Sequence, residues 1–337
     1  MRGRVPDSRV KLWLLLGANR WVVAGLLLAT VFASVVVLGH FDPVGLPDIA
    51  ASKDPVETLG QALVTAIVTG VTLVVSINQV VLSQELGAVG DQRDRMEGAT
   101  RFREDVADAV EAPVAPPEPS AFLRSLVEAA HDRGESLRDA VQDADDTRRE
   151  RVEAYVDSLG ENADAVSDQL EGAQFGTFDV LFAALNFNYS WKIYEARRLR
   201  TEHGDALDEE ARAALDDLVD VLRLFGPARE HFKTLYFQWE LINLSRAMLY
   251  TAVPAIVTAA SMILVLDDAG TVTGTTLGVA DHLWVVAAAS AVSLLPFVVL
   301  GAYVLRIATV AKRTLAIGPF VLRETERTDD IAWDDSE

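Results

Sequence analysis

The sequence predicts an all-α membrane protein: four transmembrane helices, with a long helical, partly coiled-coil-like cytoplasmic domain inserted between spans two and three. Three observations predict it. Half of the 337 residues are hydrophobic although the net charge is −20, so apolar and charged residues must be segregated along the chain. Four runs, 21–39, 62–82, 247–266 and 283–305, contain no Asp, Glu, Lys, Arg or His. The segments between them carry hydrophobic residues at helical spacing almost throughout.

Each run holds about 19 to 23 residues, enough at 1.5 Å per residue to cross a hydrocarbon core of about 30 Å. The first is read as a retained anchor, because no small-x-small cleavage site follows its long apolar stretch. Segments 1–20, 83–246 and 306–337 hold 29 of the 30 basic residues; the loops 40–61 and 267–282 hold only Lys53. Basic residues are retained in the cytoplasm. The expected location is therefore the cell membrane, multi-pass, with both termini and the 83–246 domain cytoplasmic. Trp21, Tyr250, Trp284 and Tyr303 fall near span ends, where amphipathic rings favour the interface.

Composition narrows the chemistry. Only five of the thirty basic residues are lysine, and this acid-rich, lysine-poor balance resembles that of halophilic archaeal proteins, where excess carboxylates maintain solubility under heavy screening. No concentrated basic face is present, which argues against nucleic acid as a partner. With no cysteine, thiolate metal sites, disulfides and cysteine nucleophiles are excluded. No P-loop, dinucleotide fingerprint, H-E-x-x-H, G-x-S-x-G or EF-hand pattern is found, so neither an enzyme nor a cofactor is expected.

Segment 83–246 carries 35 acidic against 19 basic residues. Span two is expected to continue as a helix towards Val110, with Gly87, Gly90 and Gly98 weakening it, until the four prolines of 112–119 interrupt it. Ser120 is the expected N-cap of the next helix. Apolar positions from Leu123 to Ala144 and from Val152 to Leu170 keep a spacing near 3.5 residues, which predicts a coiled-coil-like hairpin or stalk, with a bend at Gly160. From Phe175 to Tyr194 aromatic residues crowd one segment with a single acid, Asp179, as in a helix buried on every side. A further amphipathic helix is expected from an N-cap at Asp205 to Gly226-Pro227, followed by one running from Ala228 into span three.

The sharpest local signal lies in span two. Thr65, Thr69, Thr72, Ser76, Gln79 and Ser83 recur at steps of 4, 3, 4, 3 and 4, which places them on one helical face. Such a stripe would be either a seam of interhelical hydrogen bonds or the lining of a hydrated path where copies of the helix surround an axis; Asn78 lies just beside it. Gly25, Ala29 and Ala33 form a small-residue ridge in span one, and 287–291 is rich in alanine, both suited to close packing. Pro254 and Pro296 interrupt spans three and four and are candidate gating kinks. His40 and His282, near Asp42, Asp267, Asp268 and Asp281, raise the idea of an outer cation or pH-sensing site, against the plainer reading of interface histidines. His131, His203 and His231 read as surface residues, the Gly270–Gly278 loop as flexible, and the charged tail from Arg323, with its lone Trp333, as disordered.

Four spans, inside termini and a large helical insert between spans two and three are similar in layout to bestrophin anion channels. The likeness implies an oligomer with channel-like passive ion conduction along the span-two face, and carries over no pore residue. The alternative is a membrane-anchored sensor or scaffold whose helical domain binds a cytoplasmic protein partner. The expected partners are then the lipid bilayer, other copies of the chain and, in the second reading, that protein.

Overall fold

The computed structural model describes residues 17–41, 53–203, 207–266 and 272–313. In order these form α1 (Arg20–Phe41), α2 (Lys53–Glu85), α3 (Val89–Ala109), α4 (Pro119–Ala140), α5 (Asp146–Leu170), α6 (Phe178–Asn186), α7 (Tyr189–His203), α8 (Glu209–Leu264), β1 (Thr275–Thr276), β2 (Val279–Ala280) and α9 (Asp281–Arg313). Four of them, α1, α2, α8 and α9, hold stretches long and apolar enough to cross a membrane. The chain divides into two compact units, one built on residues 87–237, the other on α1, α2, α9 and the part of α8 after residue 237.

The span-bearing unit is packed through small residues. Leu63 and Ile67 of α2 meet Ala255, Ala259 and Met262 of α8 in one cluster, and Ala24, Val74, Met248 and Val299 join four helices in another. A Cβ on Gly60 would lie 3.2 Å from the Ala259 carbonyl oxygen, and one on Gly70 would lie 3.1 Å from the Phe297 ring, so both glycines permit close approach. Ala287, Ala289 and Ala291 are buried, in line with the packing expected of the alanine-rich run. The ridge of α1 differs: Gly25, Ala29 and Ala33 are exposed, and a Cβ on Gly25 would meet nothing within 4 Å. Among the described residues nothing covers the ridge at Gly25.

Span two does not continue unbroken to Val110. Helix α2 ends at Glu85, and α3 starts at Val89 behind an extended Ala88 (φ −61°, ψ 153°), so the weak helix former Gly87 lies at the break. Between β1 and β2, Leu277 (φ 55°) and Gly278 (φ 79°) form a two-residue hairpin turn with both central φ positive. The part of the Thr-rich loop from 275 to 280 is thus ordered as a hairpin; Gly270 lies outside the described residues, as do Asp42, Asp205, Asp267, Asp268 and the tail.

In the 87–237 unit, α4 and α5 form the expected helical hairpin. Antiparallel pairing follows from Gly134 against Leu159, Arg138 against Asp157 and Glu128 against Ser167. Its caps are not all the expected ones. Glu118 is the N-cap of α4, with Pro119 at N1, where the missing N–H costs nothing, and Ser120 is buried inside the helix. Asp145 caps α5 by accepting from the Arg148 N–H at 3.1 Å. Helix α5 runs through Gly160 without the expected bend. Asp208 accepts from the Ala211 N–H at 2.8 Å at the start of α8.

Two helix boundaries overturn the local signals. Gly226-Pro227 does not end a helix, because α8 runs unbroken from Glu209 to Leu264. Gly226 is needed for packing: a Cβ there would lie 3.0 Å from the Tyr189 ring. Proline inside a helix costs about 3 kcal/mol, and burial of Leu222, Phe225 and Ala228 on either side offsets it. Conversely, the aromatic segment is two helices. The chain breaks at Phe187-Asn188, where the Asn162 side chain donates to the Asn186 carbonyl (3.0 Å) and accepts from the Asn188 N–H (3.4 Å). Removing those bonds by Asn162→Ala should destabilise the chain by about 1–3 kcal/mol. Hydrogen exchange of the full chain checks this: faster exchange confined to the α6–α7 junction is expected.

Candidate functional site

Helix α2 has two opposed faces. Leu63, Ile67, Gly70 and Val74 are buried against α8 and α9. The stripe begins two positions later and keeps the same steps, a rotation of about 200° at 100° per residue. Thr65, Thr69, Thr72, Ser76, Gln79 and Ser83 are accordingly all exposed. A seam between helices of one protomer is therefore not what the stripe forms. Five of its members satisfy themselves: Thr65, Thr69, Thr72, Ser76 and Ser83 donate to backbone carbonyls of the preceding turn at 2.7–3.0 Å. Among the described residues neither Gln79 nor its half-buried neighbour Asn78 makes a side-chain hydrogen bond. The stripe is thus a line of five outward, back-bonded hydroxyls with one unbonded amide, Gln79, among them.

The candidate kinks lie apart from this face. Helix α8 continues through Pro254 and α9 through Pro296; Pro254 is exposed and Pro296 buried.

A second polar constellation sits where three helices leave their apolar runs. Glu240 of α8, 1% exposed, forms an ion pair with Arg20 of α1. The Arg20 guanidinium lies 5.7 Å from the centre of the Tyr303 ring of α9, and Arg306, one turn further, is buried. Tyr303 is thus a bundle residue beneath a cation rather than an interface ring, whereas Trp21 and Tyr250 are exposed. The cluster escapes a search for charges within the apolar runs because its charged members, Arg20, Glu240 and Arg306, all lie outside them. The signal was periodicity: Glu240, Leu244, Ala247, Met248 and Thr251 continue one buried face at helical spacing.

The model of the family of unknown function DUF7972 matches residues 1–335. The chain belongs to that family. No curated protein and no solved structure matches it. Membership in DUF7972 therefore assigns no activity to these residues, and the likeness to bestrophins rests on layout alone.

Two histidines of this DUF7972 chain, His282 and His131, are placed differently from expectation. His282 is 4% exposed, inside the protein, while His40 is exposed and faces Gly278. His131 is not isolated: its nitrogens lie 3.3 Å from Asp164 and 3.6 Å from Glu135. His231 is exposed. No group of three or more potential metal ligands occurs among the described residues.

The 87–237 unit buries its own polar core. Lys192 and Glu195 of α7 are 3% and 1% exposed, and Arg229 lies over the Tyr189 ring at 4.7 Å. The Tyr155 hydroxyl donates to the Lys192 carbonyl at 3.0 Å. Burial first, and the negative charge of Glu195 second, push that phenol far above its usual range.

Two outcomes follow. Arg20→Met leaves Glu240 buried without its cation and should cost about 3–5 kcal/mol; the double variant Arg20→Met, Glu240→Met should recover most of it in thermal unfolding in detergent. Tyr155 is held protonated in the folded chain at pH values where the unfolded chain ionises it. Its contribution is complete below about pH 10 and lost as pH rises further. Tyr155→Phe should therefore flatten the alkaline limb of a stability-against-pH curve.

Proposed function

We propose that the chain is a multi-pass protein of the cell membrane, with both termini and the 87–237 unit in the cytoplasm. In this reading copies associate with the outward face of α2 turned towards a shared axis, where it lines a path for passive ion conduction. The observation that carries the reading is the outward direction of all six stripe residues. Single back-bonded hydroxyls tolerate lipid, but a continuous polar line of this length is costly to leave against hydrocarbon. Lone-pair acceptors at intervals of about one helical turn offer successive partners to a partly hydrated ion. Orientation is supported by 29 of 30 basic residues lying on one side of the predicted spans.

A second reading, an anchored scaffold for a cytoplasmic protein, is supported by the separate hydrophobic core of the 87–237 unit and its acidic surface. Ion flux into liposomes at high salt separates the two. Thr72→Leu and Ser76→Leu should each reduce flux by at least tenfold, equivalent to about 1.4 kcal/mol on the barrier, with oligomer size unchanged. A folded oligomer of the unaltered chain that passes no ion would leave the scaffold reading standing.

A further inference from the structure

Between α2 and α8 the span-bearing unit leaves an open cleft of about 450 Å³. Helix α2 contributes positions from 71 to 82, and α8 runs antiparallel to it from 249 back to 238. The lining of α2 spans about 16 Å at 1.5 Å per residue, close to half of a hydrocarbon core of about 30 Å, which is the depth of one leaflet.

The chemistry of the cleft is graded along that length. One end is wholly apolar, with Val71, Val74, Met248 and Leu249. The three amides Asn78, Gln79 and Gln238 belong to the other half; Ser245, the one further polar lining residue, donates its hydroxyl to the Leu241 carbonyl of its own helix at 2.9 Å. The apolar stretch of α2 closes at Val80. The amides thus lie at the boundary where hydrocarbon gives way to lipid head groups. Each primary amide carries two N–H donors, and among the described residues those of Asn78 and Gln79 are uncommitted. No carboxylate lines the cleft.

We propose that this cleft holds one phospholipid of the inner leaflet. Its acyl chain lies along the apolar end, and its head-group oxygens accept from Asn78 and Gln79. The cleft occupies the flank of α2: Val71, Val75, Asn78 and Leu82 are rotated by about 100° from the packing face of Ile67, Gly70 and Val74. That leaves the five hydroxyls of the stripe free; Gln79 alone belongs to both faces, so the lipid site and the conduction reading share that residue and are separated at Val75 and Thr72.

The test uses the full chain in liposomes containing a phospholipid with a photoactivatable diazirine in its acyl chain. Label should concentrate in peptides covering 71–82 and 238–249, severalfold above that on the exposed face of α1. Val75→Phe, which fills the cleft and touches no stripe position, should lower that label severalfold with circular dichroism unchanged. Asn78→Leu with Gln79→Leu should do the same while label on α1 stays constant. Equal label on the cleft and on α1, as from bulk lipid, would overturn the proposal. So would label unmoved by either variant, or links from the cleft to a second copy of the chain in place of lipid.

Discussion

Backbone N–H and C=O groups in hydrocarbon find no water, so a spanning segment must bond every one of them within itself. That constraint governs the span-bearing unit. It makes each crossing a helix, and it sends the hydroxyls of Thr65, Thr69, Thr72 and Ser76 back onto their own preceding turn. It also explains why Pro254 and Pro296 are carried inside continuous helices rather than ending them, since a broken helix would expose several backbone groups where a proline forfeits one bond. Lipid offers no hydrophobic drive for helix association, so contact area has to come from close approach. Gly60, Gly70 and the buried alanines of α8 and α9 supply it.

Charge obeys the companion rule. A carboxylate removed from water is retained only where a cation and hydrogen bonds match it. Arg20 matches Glu240 on one carboxylate oxygen and joins α1 to α8 at the end of their apolar stretches. The pair is a poor source of net stability, since desolvation consumes much of the Coulomb gain. Its effect is to fix register: an alternative packing of α1 that displaced Arg20 would strand a carboxylate that is 1% exposed.

The sequence made the crossings legible because they are written in composition, and composition survives any detail of packing. The four apolar runs coincide with stretches of α1, α2, α8 and α9, and the α4–α5 hairpin follows its hydrophobic spacing. Boundaries set by tertiary contacts were not legible. Gly226-Pro227 has the local chemistry of a helix end, yet the Tyr189 ring seated against Gly226 and the buried Phe225 hold α8 straight through. The break at Phe187-Asn188 has no proline or glycine to announce it; it depends on Asn162, more than twenty residues earlier. Of the candidate site, the residues of the α2 stripe were readable from spacing, but their direction was not. Period fixes which residues share a face and leaves open what the face meets.

Direction is what gives α2 three distinct environments. Taking the buried line through Ile67 and Val74 as reference, the cleft line through Val75 and Asn78 lies about 100° around the helix and the hydroxyl stripe about 200°. A helix in a monomeric bundle with its remaining surface in lipid needs only two kinds of face, packed and apolar. The third kind, polar and outward, has no counterpart on α1, where the exposed Thr30 and Ser34 are isolated between Val22, Leu26, Val37 and Leu38. The asymmetry between the two helices is therefore the feature that a purely anchoring role leaves unexplained. Gln79 sits where the stripe and the cleft converge, so its amide can answer to either, whereas Thr72 belongs to the stripe alone and Val75 to the cleft alone. Substitutions at those two positions separate the functions of the faces, and Gln79 does not.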